Sequence, residues 1–257
     1  MPPTVSSDEV LSLLATQFTS AIDNLVQLPG GGVARIFAFD TAGGEYVVRF
    51  NSAAELDFDN EAAIIDLLAG SGVPIPRMIA HGVIRDLSWA ISDRIPGVQL
   101  NSLPPDEFAA MTPQVFATLD RIHATDITTT AGYGYFDATL TGRSSSWREH
   151  VLSIREDHPG GYNPPWEVTF ATTALDRSLV MSLFAEIERL VAFCPEGRWL
   201  IHGDYGYDNI LVQDGKITAV LDWLSARFGD FLFDVASLDF WSDFDFAVQF
   251  HQHYRES

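Results

Sequence analysis

The chain has little of what staples a protein, carries it through a membrane or grips nucleic acid. It holds a single cysteine, Cys194, in 257 residues, so no intramolecular disulfide can form and a reducing compartment is expected. Lys216 is its one lysine, and 15 basic residues face 35 acidic ones, for a formal net charge of −20. That balance excludes the basic surface on which non-specific nucleic-acid binding depends. No apolar run reaches membrane-spanning length, and Met1 to Val10 lacks the basic and apolar regions of a signal peptide. A cytoplasmic protein with no membrane and no nucleic-acid partner is expected. Several chemistries are also missing their signatures. There is no G-x-x-x-x-G-K-[ST] loop for a Walker-type ATPase, no G-x-S-x-G elbow for a serine hydrolase, and no paired His/Cys cluster for zinc.

The hydrophobic fraction, 47%, is ample for one large domain or two smaller ones. An acidic surface would steer and concentrate a cationic small molecule, although many acidic proteins are so only for solubility.

The densest signal runs from Ile201 to Trp223, IHGDYGYDNILVQDGKITAVLDW. Two runs rich in Ile, Leu and Val, Ile210 to Gln213 and Lys216 to Leu221, flank Asp214-Gly215. Such a two-residue connection predicts a hairpin, because a type I′ turn needs positive φ at both central positions. Pairing Gln213 with Lys216 puts Asn209 opposite Val220, and strand alternation then sets Asn209 and Asp222 on one face, within reach of one cation. An Asn/Asp oxygen pair suits Mg²⁺, a hard cation that takes few protein ligands and completes its shell from substrate phosphates. Asp204, on the loop entering the hairpin, can accept a proton from an attacking hydroxyl. Base, metal-binding Asn, hairpin and metal-binding Asp are the parts of a kinase catalytic loop.

HGDYGYDN, LDW and RFGDFLFDVA together resemble the aminoglycoside phosphotransferase family, a small-molecule branch of the protein-kinase-like fold. YVVRFNS, GVPIP, TAGYGYF, SSWREH and KITAVLDW extend the likeness over nearly the whole chain, toward the hygromycin B type. The resemblance implies an α+β, two-lobed fold. Residues 1–95 would form a nucleotide-binding lobe of antiparallel sheet plus helix, and 96–257 a mainly helical catalytic and substrate lobe carrying the hairpin. It implies ATP or GTP with Mg²⁺ as cofactors, and a small cationic aminocyclitol or aminoglycoside as acceptor. Asp204 would be the catalytic base, and Asn209 and Asp222 the metal ligands. Arg49 stands where the family usually has a phosphate-contacting lysine, as it does in the hygromycin type, and Glu61 is placed to pair with it. The backbone of Asp93 and Ile95 would bind adenine, and His202 and Asp230 would orient the loop. Gly229-Asp230 and Asp234 match a G-D-P-x-x-D signature with Phe231 in place of proline, whose acids would tie the catalytic loop to the next helix. Members generally continue for several more helices, so the second lobe is expected to be short at its C-terminus, with Phe240, Trp241, Phe244 and Phe246 lacking a cover. The acceptor could also be a macrolide or a metabolite, or the chain an inactive nucleotide-binding module, as a monomer or a dimer.

Periodicity fills in the rest. It predicts helices over 8–26 (starting at Ser7 or Asp8), 59–68, 104–123, 146–156 and 175–193. Leu179, Leu183, Ile187 and Leu190 form the expected core-facing stripe of the last of these. A glycine-rich hairpin over Leu28 to Phe39 would cover phosphates, followed by a strand from Glu45 to Phe50. Two strands should meet at a turn near Arg85-Asp86, before a hinge at Ser92 to Gly97. Thr128 to Arg143 reads as a loop bordering the substrate cleft, and His123 as a structural helix end.

Overall fold

The computed structural model describes residues 3–29, 34–52, 58–157, 164–241 and 246–256. Its first helix is shorter than the periodicity predicts. Helix α1 is Ser7–Gln17, started by a capping box between Ser6 and Glu9 and stopped at an extended Phe18. Thr16, Thr19 and Ser20 are poor helix formers, and Asn24 has φ of 52°. Ile22 and Leu25 therefore pack on the same core from outside the helix, Leu25 within strand β1 (Asp23–Gln27).

Strands β2 (Arg35–Thr41) and β3 (Gly44–Ser52) follow, then helix α2 (Phe58–Leu67) and strands β4 (Met78–Ile84) and β5 (Leu87–Asp93). The five strands form an antiparallel sheet in the order β1-β2-β3-β5-β4. Strand alternation sends Tyr46, Val48 and Phe50 of β3 into a core with Val10, Leu13 and Leu14 of α1. It leaves Arg49 on the opposite face. The β4–β5 turn falls at Arg85-Asp86 as expected. Gly30 to Gly32 of the expected phosphate-covering hairpin lie outside the described residues, although the flanking β1 and β2 do pair.

A second core lies after the hinge. Short strand β6 (Val98–Gln99) leads to helix α3 (Pro105–His123), whose Met111, Val115, Phe116, Leu119 and Ile122 are buried in it. Ile64 of α2, with Leu68 and Val73 just beyond, belongs to this second core and not to the first. The stretch expected as a loop contains two short strands, β7 (Tyr133–Phe136) and β8 (Gly142–Ser144). Glycine and threonine gave it loop composition, but Gly134 pairs with Phe228 in a four-stranded sheet.

Helices α4 (Trp147–Leu152), α5 (Trp166–Thr172) and α6 (Arg177–Leu190) come next. In α6 the buried residues are Val180 and Phe184, while Leu179 and Leu183 are 55% and 52% exposed. The stripe predicted to face the core thus faces solvent, because α6 docks through Phe184 on Trp166 and turns its leucines away. Strands β9 (Trp199–Ile201), β10 (Ile210–Gln213), β11 (Lys216–Val220) and β12 (Arg227–Gly229) carry the site, and α7 (Leu232–Phe240) and α8 (Phe246–Glu256) follow. Phe240 and Trp241 are exposed, as expected; Phe244 and the Phe246 side chain lie outside the described residues. Among the described residues, no helix is long and apolar enough to cross a membrane.

Candidate active site

The β10–β11 hairpin turns at Asp214-Gly215, both with positive φ, and Gln213 pairs with Lys216. The register expected beyond that pair does not hold. Val212 pairs with Ile217 but Leu211 pairs with Ala219, so Thr218 is an extra, bulged residue. Ile210 therefore faces Val220, and Asn209 accepts the Leu221 N–H at 2.8 Å instead of lying opposite Val220. One extra residue reverses side-chain parity. Two residues beyond the strand, Asp222 is held in the left-handed region at φ 61° and ψ 68°. Bulge and left-handed residue together, not simple alternation, set the direction of Asp222.

Asp204 and Asn209 meet directly. Asn209 Nδ2 donates to the Asp204 carbonyl at 2.9 Å and to its carboxylate at 3.1 Å, which turns Asn209 Oδ1 away from Asp204. The Asp204 pKa is raised, first by partial desolvation of the cleft floor. The nearby Asp222 and Asp208 charges add to the rise; His202 and the Asn209 amide oppose it.

Three buried groups hold this loop. The His202 ring is fully buried; its Nδ1 accepts the Asp204 N–H at 3.2 Å, so Nε2 carries the proton and donates to Leu221 O at 2.9 Å. His202 thereby ties Asp204 to the residue before Asp222. Asp234, at the first turn of α7, accepts from the backbone N–H groups of His202 (2.9 Å) and Gly203 (2.8 Å). His123 Nε2 completes its shell at 3.0 Å, so His123 is a structural end of α3, as expected. Burial opposes the charge on Asp234, yet the His123 bond and charge, with His202 and the Gly203 amide, hold its pKa below the usual carboxylate range. Gly203 has φ of +80°, and a Cβ there would sit 2.1 Å from the Ser225 carbonyl oxygen.

Asp230 is buried and accepts from Leu232 N–H at 3.1 Å, just ahead of α7. The carboxylate that reaches the 202–204 backbone is Asp234, because the first helical turn carries that side chain back over the loop.

On the sheet side, Arg49 Nη2 lies 2.7 and 2.8 Å from the two oxygens of the buried Glu61. Burial works against the Arg49 charge, but Glu61 outweighs it and the Asp222 charge adds, so its pKa is raised. Arg49 and Asp222 therefore share one electrostatic neighbourhood. In the hinge, the Asp93 N–H is taken by Arg77 O at 3.0 Å, and its exposed carboxylate pairs with Arg77.

A model of the phosphotransferase enzyme family matches residues 24–256. The chain belongs to this family. Hygromycin-B 4-O-kinase of Escherichia coli is 34% identical over 243 residues, covering 93% of this chain and 68% of that relative. The fold agrees with that of a crystallised thermostable mutant of aminoglycoside phosphotransferase APH(4)-Ia in ternary complex with AMP-PNP and hygromycin B. The TM-score is 0.80 at 32% identity, over 96% of this chain and 82% of the other. A second mutant of that enzyme, in complex with ADP and hygromycin B, gives the same TM-score and identity, over 96% and 81% of the two chains. The chain is therefore a phosphotransferase with an α+β, kinase-like fold.

Among the described residues, no group of three or more His, Cys, Asp or Glu side chains could hold a metal ion. Asn209 Oδ1, turned away from Asp204, and the Asp222 carboxylate are oxygen donors of the kind that suits Mg²⁺. The buried Arg227 beneath Gly203 escaped the sequence reading, whereas Asp234 was expected, with Asp230, to tie the catalytic loop to the next helix. Nothing in the sequence set Arg227 apart from surface arginines.

Proposed function

We propose that this phosphotransferase moves the γ-phosphoryl group of ATP, or of GTP, onto a hydroxyl of a cationic aminocyclitol or aminoglycoside of the hygromycin B type, so giving antibiotic resistance in the cytoplasm. The observation that carries the reading is the bonding of Asn209 to Asp204 at 2.9 and 3.1 Å, on a loop tied through His202 to the strand end bearing Asp222. The acceptor oxygen bonds to the γ-phosphorus as the bond to the β–γ bridging oxygen breaks. ADP leaves, and the hydroxyl proton passes to Asp204. A raised pKa makes Asp204 a better proton acceptor than an ordinary carboxylate. Asn209 and Asp222 would hold Mg²⁺, which when bound neutralises phosphate charge. Arg49, fixed by Glu61, contacts the phosphates. Since the Asp93 N–H is already engaged, adenine recognition in the hinge falls to the Asp93 carbonyl and the Ile95 N–H. The net charge of −20 favours a polycationic acceptor. Positioning and charge neutralisation supply most of the catalysis in this reaction class.

The test is ADP release from MgATP over a panel of hygromycin B, other aminoglycosides and a macrolide. Hygromycin B should stimulate release, and Asp204→Asn should lower it by about 10² to 10⁴-fold while retaining MgATP-dependent thermal stabilisation. Near-full activity in Asp204→Asn would remove the assigned base. Stimulation by a macrolide alone would replace the acceptor.

A further inference from the structure

One buried cation plays no part in the chemistry above. Arg227 opens β12, is 8% exposed, and forms no ion pair among the described residues. Its Nε donates to Ser225 O at 3.0 Å and its Nη2 to the Tyr135 hydroxyl at 2.8 Å, with Nη1 3.4 Å from His150 Nε2. The guanidinium stacks over Tyr135 at 4.2 Å and Phe233 at 4.7 Å. It lies directly under the Asp204 loop, since a Cβ on Gly203 would come within 3.0 Å of Nε. Burial lowers its pKa, and Tyr135, Asp234 and Asp204 offset only part of that.

The sheet register places Tyr135 at the end of the site. Arg227 pairs with Ile201, the last residue before the His202–Asp204 loop, and Phe228 pairs with Gly134. Tyr135 therefore stands beside Arg227, at the end of the sheet where that loop begins. Its strand also touches the other wall of the cleft, for Asn60 of α2, next to Glu61, donates to the Phe136 carbonyl at 2.9 Å. Gly134, at φ +72°, admits His150 against the strand, where any Cβ would meet its ring at 2.4 Å. The His150 ring then meets Tyr135 edge-on at 5.4 Å. For all these contacts, Tyr135 keeps 42% of its surface exposed.

We propose that Tyr135 is a platform for a neutral, hydroxylated ring of the acceptor, and that Arg227 is the positioning residue that sets it. The inference rests on the phosphoryl-transfer reading above. A half-exposed aromatic ring at the sheet end where the Asp204 loop begins offers flat apolar surface to the C–H face of a sugar. A guanidinium already occupies one face of this ring and donates to its hydroxyl. The ring's attraction for a second cation is therefore weakened, so an ammonium-bearing ring of the acceptor is directed elsewhere.

The test is steady-state kinetics with hygromycin B as acceptor. Tyr135→Ala should raise the acceptor KM by about tenfold, leaving the nucleotide KM within about twofold. Tyr135→Phe, which keeps the ring, should stay within about threefold. Arg227→Met should raise the acceptor KM in the same manner. The double variant should be no worse than Tyr135→Ala, because the arginine acts through the tyrosine. The Tyr135→Ala penalty should be equal at low and high salt; a penalty that shrinks with salt means an ammonium group on the ring and overturns the neutral-ring assignment. An unchanged acceptor KM in Tyr135→Ala overturns the platform itself. If Arg227→Met fails to fold, the surface Tyr135 variants still decide. Absence of acceptor-stimulated ADP release in the unmutated protein removes the phosphoryl-transfer reading and this inference together, and is thus distinct from a silent Tyr135→Ala in an active enzyme.

Discussion

The two ends of the cleft are held in different ways. At the Asp204 end, one short loop is fixed by His202 from within, by Asp234 from α7 and through it by His123 from α3, all buried. At the Arg49 end, among the described residues, orientation depends on one ion pair between β3 and α2 and on the Phe58 ring beneath the guanidinium. The contrast follows the task. A base must meet a reacting atom within a few tenths of an ångström, and interlocked buried bonds supply that precision. A phosphate contact needs a charge at roughly the right place, and one bidentate partner suffices to aim it.

If that contrast is real, the largest effect should come from the interlocked end. Asp234→Ala leaves two backbone N–H groups and His123 without their buried acceptor, and should cost about 3–5 kcal/mol, read as a large fall in thermal midpoint. The same carboxylate gives a pH signature. Its folded pKa is depressed, so its contribution is fully present above the ordinary Asp range, near 4, and is lost as pH falls through the lowered value. Acid denaturation of Asp234→Ala should lack that component; an identical acid limb in both proteins would mean that Asp234 is not a stabilising anion. Asp222→Ala comes next. Overall stability should move by less than about 1 kcal/mol, while the extra thermal stabilisation that Mg²⁺ adds to bound nucleotide disappears. Arg49→Met should be milder, raising the nucleotide KM by about tenfold with kcat reduced less, since one aiming contact is lost and the base is untouched. Equal damage to kcat would erase the distinction between the ends. Smallest of all, Leu183→Ser on the exposed stripe of α6 should change stability by no more than about 0.5 kcal/mol in urea unfolding.

That last variant bears on how far the sequence could be read. Helices α3 and α6 carry equally plain apolar periodicity, and both form. In α3 the stripe is the core; in α6 it points to solvent. Periodicity reports that a helix has a face, whereas the neighbour that covers the face is a tertiary fact. The Asp-Gly turn, the Arg49–Glu61 pair and the adjacency of Asp204 to Asn209 were legible because each depends on local spacing or on a motif. The bulge at Thr218 was not, since an extra residue leaves no mark on a run of β-formers. The same holds for β7, where glycine composition hid a strand that pairs with β8 nearby and with β12 more than 90 residues away. The loop brace was legible as a pair of motif acids; only the geometry separates Asp230, bonded to Leu232 N–H, from Asp234, which reaches the loop backbone.

Helix α2 is claimed by both halves of the molecule. Ile64 sits in the second core, Asn60 holds β7, and the Pro74 carbonyl beyond the helix accepts from Val220 N–H at 2.8 Å. Glu61, on the same helix, grips the sheet through Arg49. The helix is thus a fixed pillar of the lower body with one hand on the roof. Any movement of the sheet against the second core would strain that grip along with the Asp59–His81 contact to β4, so the Arg49–Glu61 separation would report on it. A pair of labels flanking it, one on β3 and one on α2, would turn nucleotide arrival into a measurable change of length.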